Sequence, residues 1–303
     1  MSTQVNPLVD ATACLMLYFR RPGIIRKLRK DQFEAGDAEK DLIGAQKKIV
    51  DSVEYAHVGA FENHVKSYLK SKALPSRLYR DATYLIPLSS MIAVDTFLEA
   101  ARVEWQEKVE AYVAVYDERR AETKKRLGEL GDDGDYMSLL ELKKAFGFEF
   151  EYVTLSTPTT LKKISAAMFE REEQRLRERL ASAQDEIVSV MRARFLEFVN
   201  AMKSMLDGTD TAGKTQRFSG RRIEKLQAFI EDFTAEKNVC GDAELQSLMK
   251  DASKLLSGVN PKELRDDKAW REATSLSFAG ISETLTTMTK IRQRRQIDVE
   301  EQA

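Results

Sequence analysis

The string Gly208-Thr-Asp-Thr-Ala-Gly213-Lys214-Thr215 has the spacing of a P-loop, in which backbone N–H groups wrap a phosphate and a lysine neutralises it. Such a loop requires a buried strand directly before it. Here the preceding run carries Phe195, Phe198, Met202 and Met205 at helical steps, so the strand is missing. Met91-Ile-Ala-Val-Asp95 imitates the apolar run and aspartate of a Walker B strand, yet it lies far upstream and merges into helical stepping as far as Trp105. Context therefore favours a glycine-containing helix-to-helix loop with exposed basic residues and leaves a P-loop ATPase as a minor alternative.

His57 and His64 are seven residues apart and could share a helix face, but a metal site needs three or four convergent ligands and no third is indicated. With 49 acidic residues in the chain, Glu149 with Glu151, or Asp132 with Asp133 and Asp135, arise without acid–base or metal chemistry. No serine stands in a nucleophile-elbow pattern. Neither Cys14 nor Cys240 has a basic neighbour in sequence, and two cysteines are too few for a disulfide framework. The expectation is a non-enzymatic protein with no cofactor and no metal, at home in a reducing cytoplasm.

Three basic concentrations remain. Arg20, Arg21, Arg26, Lys27, Arg29 and Lys30 fall within eleven residues with no acid among them, directly after Tyr18 and Phe19. Lys214, Arg217, Arg221, Arg222 and Lys225 surround Phe218 with only Glu224 opposing, and Lys290, Arg292, Arg294 and Arg295 close the last helical stretch. Cations interleaved with aromatic rings suit single-stranded nucleic acid, whose phosphates need charge and whose unpaired bases need a surface to stack on. The third cluster has a plainer reading as helix-C-terminal charge favoured by the macrodipole. The net charge of −1 means that any polyanion must be met by such local patches, and oligomerisation that aligns several of them would help.

The elements that would position these groups are helical. Six prolines, fourteen glycines and 32% charged residues favour long solvated helices. Val9–Phe19 is a short apolar run between turn signals, which predicts a buried strand and is about half the length of a membrane span. Neither a signal peptide nor a membrane span is expected. Leu42, Ala45, Ile49, Val53, Ala56 and Ala60 predict a helix over roughly Lys40–Ser71. A second helix is predicted over Pro87–Leu127, on Met91, Val94, Leu98, Ala101, Trp105, Val109, Tyr112 and Tyr116. The glycine and aspartate cluster Gly128–Asp135 breaks it, and the alternation in Phe148–Leu155 predicts a strand able to pair with Val9–Phe19. A further rod runs from Thr157-Pro158 to Asp207, and three helices follow over Ser219–Lys237, Asp242–Leu256 and Asn260–Arg295, with a frayed tail from Asp298 to Ala303. Since neither rod can bury its apolar stripe alone, the two are expected to pack on each other. The predicted fold is mainly α, a long antiparallel helical hairpin with additional helices and a small two-stranded β element, organised as residues 1–207 and 208–303.

In this order of features the chain resembles a helical family of phages and mobile elements encoded beside MoxR-type AAA+ ATPases and von Willebrand A-domain proteins. The resemblance lies in the N-terminal apolar run followed by Arg20-Arg21, in Tyr84-Leu-Ile-Pro87 opening the long helix to Tyr116-Asp117-Glu118, and in Phe146-Gly147-Phe148-Glu-Phe150 leading to Val153-Thr-Leu-Ser156. It covers about the first half of the chain and implies a phage or mobile-element protein of a bacterial host cell, with no active site to transfer. In general design the chain is also similar to the single-stranded-DNA-binding RNA polymerase cofactors of N4-like phages. That likeness implies single-stranded DNA as ligand, a role in transcription or replication, and a phage RNA polymerase as a candidate partner. The alternative expectation is an interaction protein, in which the long hairpin presents a face to an AAA+ ATPase or another phage protein and the basic clusters are incidental.

Overall fold

The structure, a computed structural model, describes residues 6–34, 36–76, 78, 82–209 and 216–300, with side chains as far as Thr289. The helices are α1 (Pro7–Ala11), α2 (Val53–Lys72), α3 (Met91–Leu127), α4 (Leu139–Ala145), α5 (Thr160–Ile164), α6 (Ala166–Asp207), α7 (Gly220–Asp232), α8 (Ala243–Leu256), α9 (Pro261–Asp266) and α10 (Lys268–Glu300). The strands are β1 (Thr12–Arg20), β2 (Ile25–Lys27), β3 (Gln46–Lys48), β4 (Thr83–Pro87) and β5 (Gly147–Val153). The mainly α class stands.

The apolar run near the N-terminus opens as a helical turn, because Asn6 accepts a hydrogen bond from the Leu8 N–H and Pro7 is preset for the first helical position. The strand proper, β1, pairs antiparallel with β5 from Cys14↔Val153 to Arg20↔Gly147, the partnership expected from sequence. The expected two-stranded element is nevertheless part of a three-stranded sheet ordered β4-β1-β5, and a separate pair joins β2 to β3. The extra strand is Thr83–Pro87, read from sequence as the opening of the long helix. Its Thr-Tyr-Leu-Ile run suits a pleated surface, and Pro87 ends the pairing with β1.

Alternation along β1 makes the sheet a partition between two cores. Leu15 and Leu17, with Ile86 and Phe148, face Phe61, Val65, Leu98, Trp105 and Tyr112 of α2 and α3. Cys14, with Leu85 and Leu155, belongs to the core built on α6, α7, α8 and α10. Each rod therefore finds its own partner. Tyr55 meets Tyr112 and Tyr68 meets Phe97, so α2 and α3 run antiparallel. Asp207 meets Ser275 and Asn200 meets Ser282, so α6 and α10 do too. The hairpin expected between the 37-residue α3 and the 42-residue α6 is replaced by these two pairings, since the sheet separates their stripes. The expected boundary at 207/208 falls between α6 and α7, which share a core.

Four of the expected helices also change. The helix expected from Lys40 begins at Val53, capped by Ser52, and Leu42 is 82% exposed. Tertiary contacts override the periodicity there: Lys47 on β3 is buried, 2.6 Å from Asp135, and donates to the Leu130 carbonyl at 2.7 Å. Ser165 caps α6 and divides it from the short α5, and Asp267 caps α10 and divides it from α9. The helix expected over Ser219–Lys237 is α7 followed by a π-helical turn at Phe233–Lys237. In that turn Lys237 donates to the Ser71 carbonyl at 2.6 Å and pairs with Asp232 at 2.7 Å. Glu236 accepts from Ser90 Oγ at 2.6 Å and pairs with Lys72 at 3.3 Å. This seam ties α7 to α2 and to the amino end of α3.

Candidate nucleic-acid interface

The first basic cluster leaves the end of β1 and enters β2, and nearly every member has a partner. Arg20 pairs with Glu149 across the sheet at 2.7 Å. Arg21 lies over Gly59 of α2, where an added Cβ would come within 3.0 Å of the guanidinium. There Arg21 donates to Glu62 at 2.6 Å and stacks on the Tyr55 ring at 5.4 Å; its side chain is 30% exposed and that of Glu62 11%. Lys66 pairs with the same carboxylate. Arg26 donates to the carbonyls of Gly23, Ile25 and Asp135. Arg29 meets Asp31 at 3.3 Å and Lys30 meets Asp41, leaving Lys27 exposed without an ion-pair partner among the described residues.

The two aromatic residues of this segment differ. Tyr18 is 40% exposed on the open face of the sheet. Phe19 is half-buried, stacked on Phe148 at 4.7 Å and tilted against Trp105 at 4.9 Å, so its ring serves the core. A stretch without acids in sequence is thus well supplied with them in space, through residues 31, 41, 62 and 149.

The second cluster is different. Lys214 lies outside the described residues, as do the other residues from 210 to 215 of the P-loop-like string. Helix α6 runs directly to Asp207 before it, and Met91–Asp95 opens α3 as helix. Arg217 is exposed in the extended lead to α7, and Arg221 and Lys225 are exposed one helical turn apart on α7 itself. None of the three has an ion-pair partner among the described residues, although the exposed Glu224 stands beside Lys225 in sequence. Arg222 donates to Gln216 Oε1 at 3.0 Å. Phe218 is half-buried against the α6–α10 core and offers little ring to a base.

Local sequence explains this exposure. Ile223, Leu226 and Ile230 commit the opposite face of α7 to the core and turn residues 221 and 225 outward. Ser219 makes no side-chain cap, and although its carbonyl accepts from the Arg222 N–H, the Gly220 and Arg221 amides of the first turn stand beside the cations. The third cluster, Lys290 with Arg292, Arg294 and Arg295, lies on α10 beyond the described side chains.

His57 and His64 are both exposed on α2, and His64 packs near Phe61 and Phe97. Among the described residues no group of three or more His, Cys, Asp or Glu side chains converges as a metal site would require, and no helix is long and apolar enough to cross a membrane. Fold and surface together define a mainly α protein with two cores, one basic segment largely paired with acids and one with three cations that have no ion-pair partner among the described residues. No protein-family model, curated protein or solved structure matches the chain.

Sequence reasoning misses one surface feature, the outer edge of β5. Glu149 and Glu151 carry no acid–base signal, whereas the alternation around them signals a strand, and among the described residues β1 is the only strand paired with it.

Proposed function

We propose that this chain is a non-enzymatic nucleic-acid-binding protein of phage or mobile-element type that holds single-stranded DNA through the Arg217, Arg221 and Lys225 surface. One observation carries the reading: these cations share one exposed end of α7 with no acid paired to them among the described residues, while the earlier segment has its charge tied to internal partners. Phosphates are the natural ligand for free guanidinium and ammonium groups beside uncapped helix amides. Half-burial of Phe19 and Phe218 makes the contact one of backbone charge. Three cations make a modest site, so a homo-oligomer that places several α7 surfaces along one strand completes it, in the cytoplasm of a bacterial host, in support of transcription or replication.

Fluorescence anisotropy with labelled single-stranded oligonucleotides across salt tests this. Affinity should fall steeply with salt, by about 0.7 log units per log unit of salt for each phosphate contacted. No binding at low salt, or binding indifferent to salt, overturns it.

A second reading, a helical adaptor for an AAA+ ATPase or a phage RNA polymerase, is favoured by Ile92 and Val103. They are 85% and 62% exposed and share one face of α3, eleven residues apart.

A further inference from the structure

The open edge of the sheet can be assigned from its hydrogen bonds. Leu17 donates its N–H to the Ala82 carbonyl on the β4 side, so Leu15 and Leu17 present their backbone groups to β4. Cys14, Met16, Tyr18 and Arg20 therefore present theirs to β5, where their register partners are Val153, Glu151, Glu149 and Gly147. It follows that the N–H and C=O groups of Phe148, Phe150 and Tyr152 point away from the sheet. Among the described residues none of them has a hydrogen-bond partner. The other edge is closed, since Leu74 donates to the Leu85 carbonyl on β4.

The side chains along the open edge select what can be added there. On the α3 side, Phe150 lies under the Arg102 guanidinium at 4.8 Å and the Tyr152 hydroxyl donates to Asp95 at 2.7 Å. A groove of about 650 Å³ borders Phe148 between α3 and α4, with Val103, Val113 and Phe146 as apolar lining and Arg102, Glu107, Glu110 and Lys143 as charged lining. On the opposite face, Glu149 and Glu151 are exposed, and Glu151 has no ion-pair partner among the described residues.

A second copy of β5 is a poor occupant. Antiparallel self-pairing through residues 148, 150 and 152 sets Glu149 against Glu151, or either glutamate against itself, and like charges directly opposite destabilise a sheet. We propose that the outer edge of β5 is a docking site for an extended segment of a different protein. That segment adds a fourth strand, places apolar side chains toward the groove by Val103 and sets basic side chains beside Glu149 and Glu151. Backbone hydrogen bonds supply the affinity and the alternation of side chains the selectivity.

The test uses the full chain and a fluorescent twelve-residue peptide of alternating valine and lysine, measured by anisotropy. The lysine peptide should bind and its valine–glutamate counterpart should not. Glu151→Lys should reverse that preference, with a loss of at least fivefold for the lysine peptide. Methylating the backbone nitrogens of either all valines or all lysines should separate the two: one version loses binding and the other keeps it, since only alternate N–H groups reach the edge. Equal binding of the lysine and glutamate peptides, equal tolerance of both methylated forms, or no binding of any peptide overturns the proposal. If the two glutamates are what prevents self-pairing, Glu149→Val with Glu151→Val should sediment as a larger species than wild type, and an unchanged monomer–oligomer balance overturns that role.

Discussion

The basic segment at residues 20–30 and the one at 217–225 look alike in sequence, yet the first has most of its charge tied to internal partners, Lys27 apart, while Arg217, Arg221 and Lys225 of the second have no ion-pair partner among the described residues. In the first, acids arrive from four places, Asp31 and Asp41 nearby, Glu62 on α2 and Glu149 on β5. In the second, the neighbouring surface is the end of a bundle whose inward face is apolar. Counting acids along the chain measures neighbours in sequence, whereas a ligand meets neighbours in space.

The comparison predicts that damage to the two segments shows in different measurements. Glu62→Ala should lower stability by about 2 kcal/mol, because it takes the shared carboxylate from both Arg21 and Lys66, whereas Arg21→Ala should cost about 1 kcal/mol, since Glu62 keeps Lys66. Chemical denaturation reads this directly, and oligonucleotide affinity of the folded variant should stay within about twofold. A large affinity loss with unchanged stability would merge the two segments into one site.

The triple variant Arg217→Ala, Arg221→Ala, Lys225→Ala should do the reverse. Removing three phosphate-binding cations should make the salt slope shallower by about 2, and affinity should fall at least tenfold at low salt. Stability should change by no more than about 0.5 kcal/mol, since all three side chains are exposed and unpaired among the described residues. Unfolding of this variant would place Arg217, Arg221 and Lys225 among the structural residues.

The far end of α7 provides an internal contrast, because there the charges are tied. The Ser90 hydroxyl and Lys72 hold the Glu236 carboxyl below its ordinary range. A carboxyl depressed in the folded state contributes stability that is present above its unfolded pKa, near 4.3 for a free glutamate, and lost as pH falls through the lower folded value. Glu236→Gln should cost about 1 kcal/mol at pH 7. Its deficit against wild type should close as pH is taken from about 5 toward 3, and a deficit independent of pH would show that the seam is held by shape alone.

Much of the fold was legible from periodicity: α3 and β5 fall within a few residues of where their apolar stepping places them, and α6 ends at Asp207 as expected although it begins only at Ala166, after the separate α5. What periodicity cannot carry is the partner of a stripe. Trp105 and Phe195 look interchangeable as members of long apolar rows, and only the sheet between them sends one to α2 and the other to the C-terminal helices. Tyr84–Pro87 was hidden for a related reason, a four-residue apolar run being equally good as strand or first helical turn until β1 is there to pair with it. For the candidate site, the sequence located both basic segments, but the neutralisation of one depends on contacts from 129 residues away, as with Arg20 and Glu149.

The smallest expected effect is the most discriminating. Arg29 and Lys30 are exposed, and each is masked only by an exposed aspartate, Asp31 and Asp41. Asp31→Asn with Asp41→Asn removes the masking charge and leaves the cations in place. Exposed pairs contribute little to stability, so melting should be unchanged. If charge availability is what separates the two segments, affinity for single-stranded DNA should rise by about twofold to threefold and the salt slope should steepen by about 1. If affinity does not move, then position on the molecule excludes residues 29 and 30 from the bound strand, and the contact surface contracts to the end of α7.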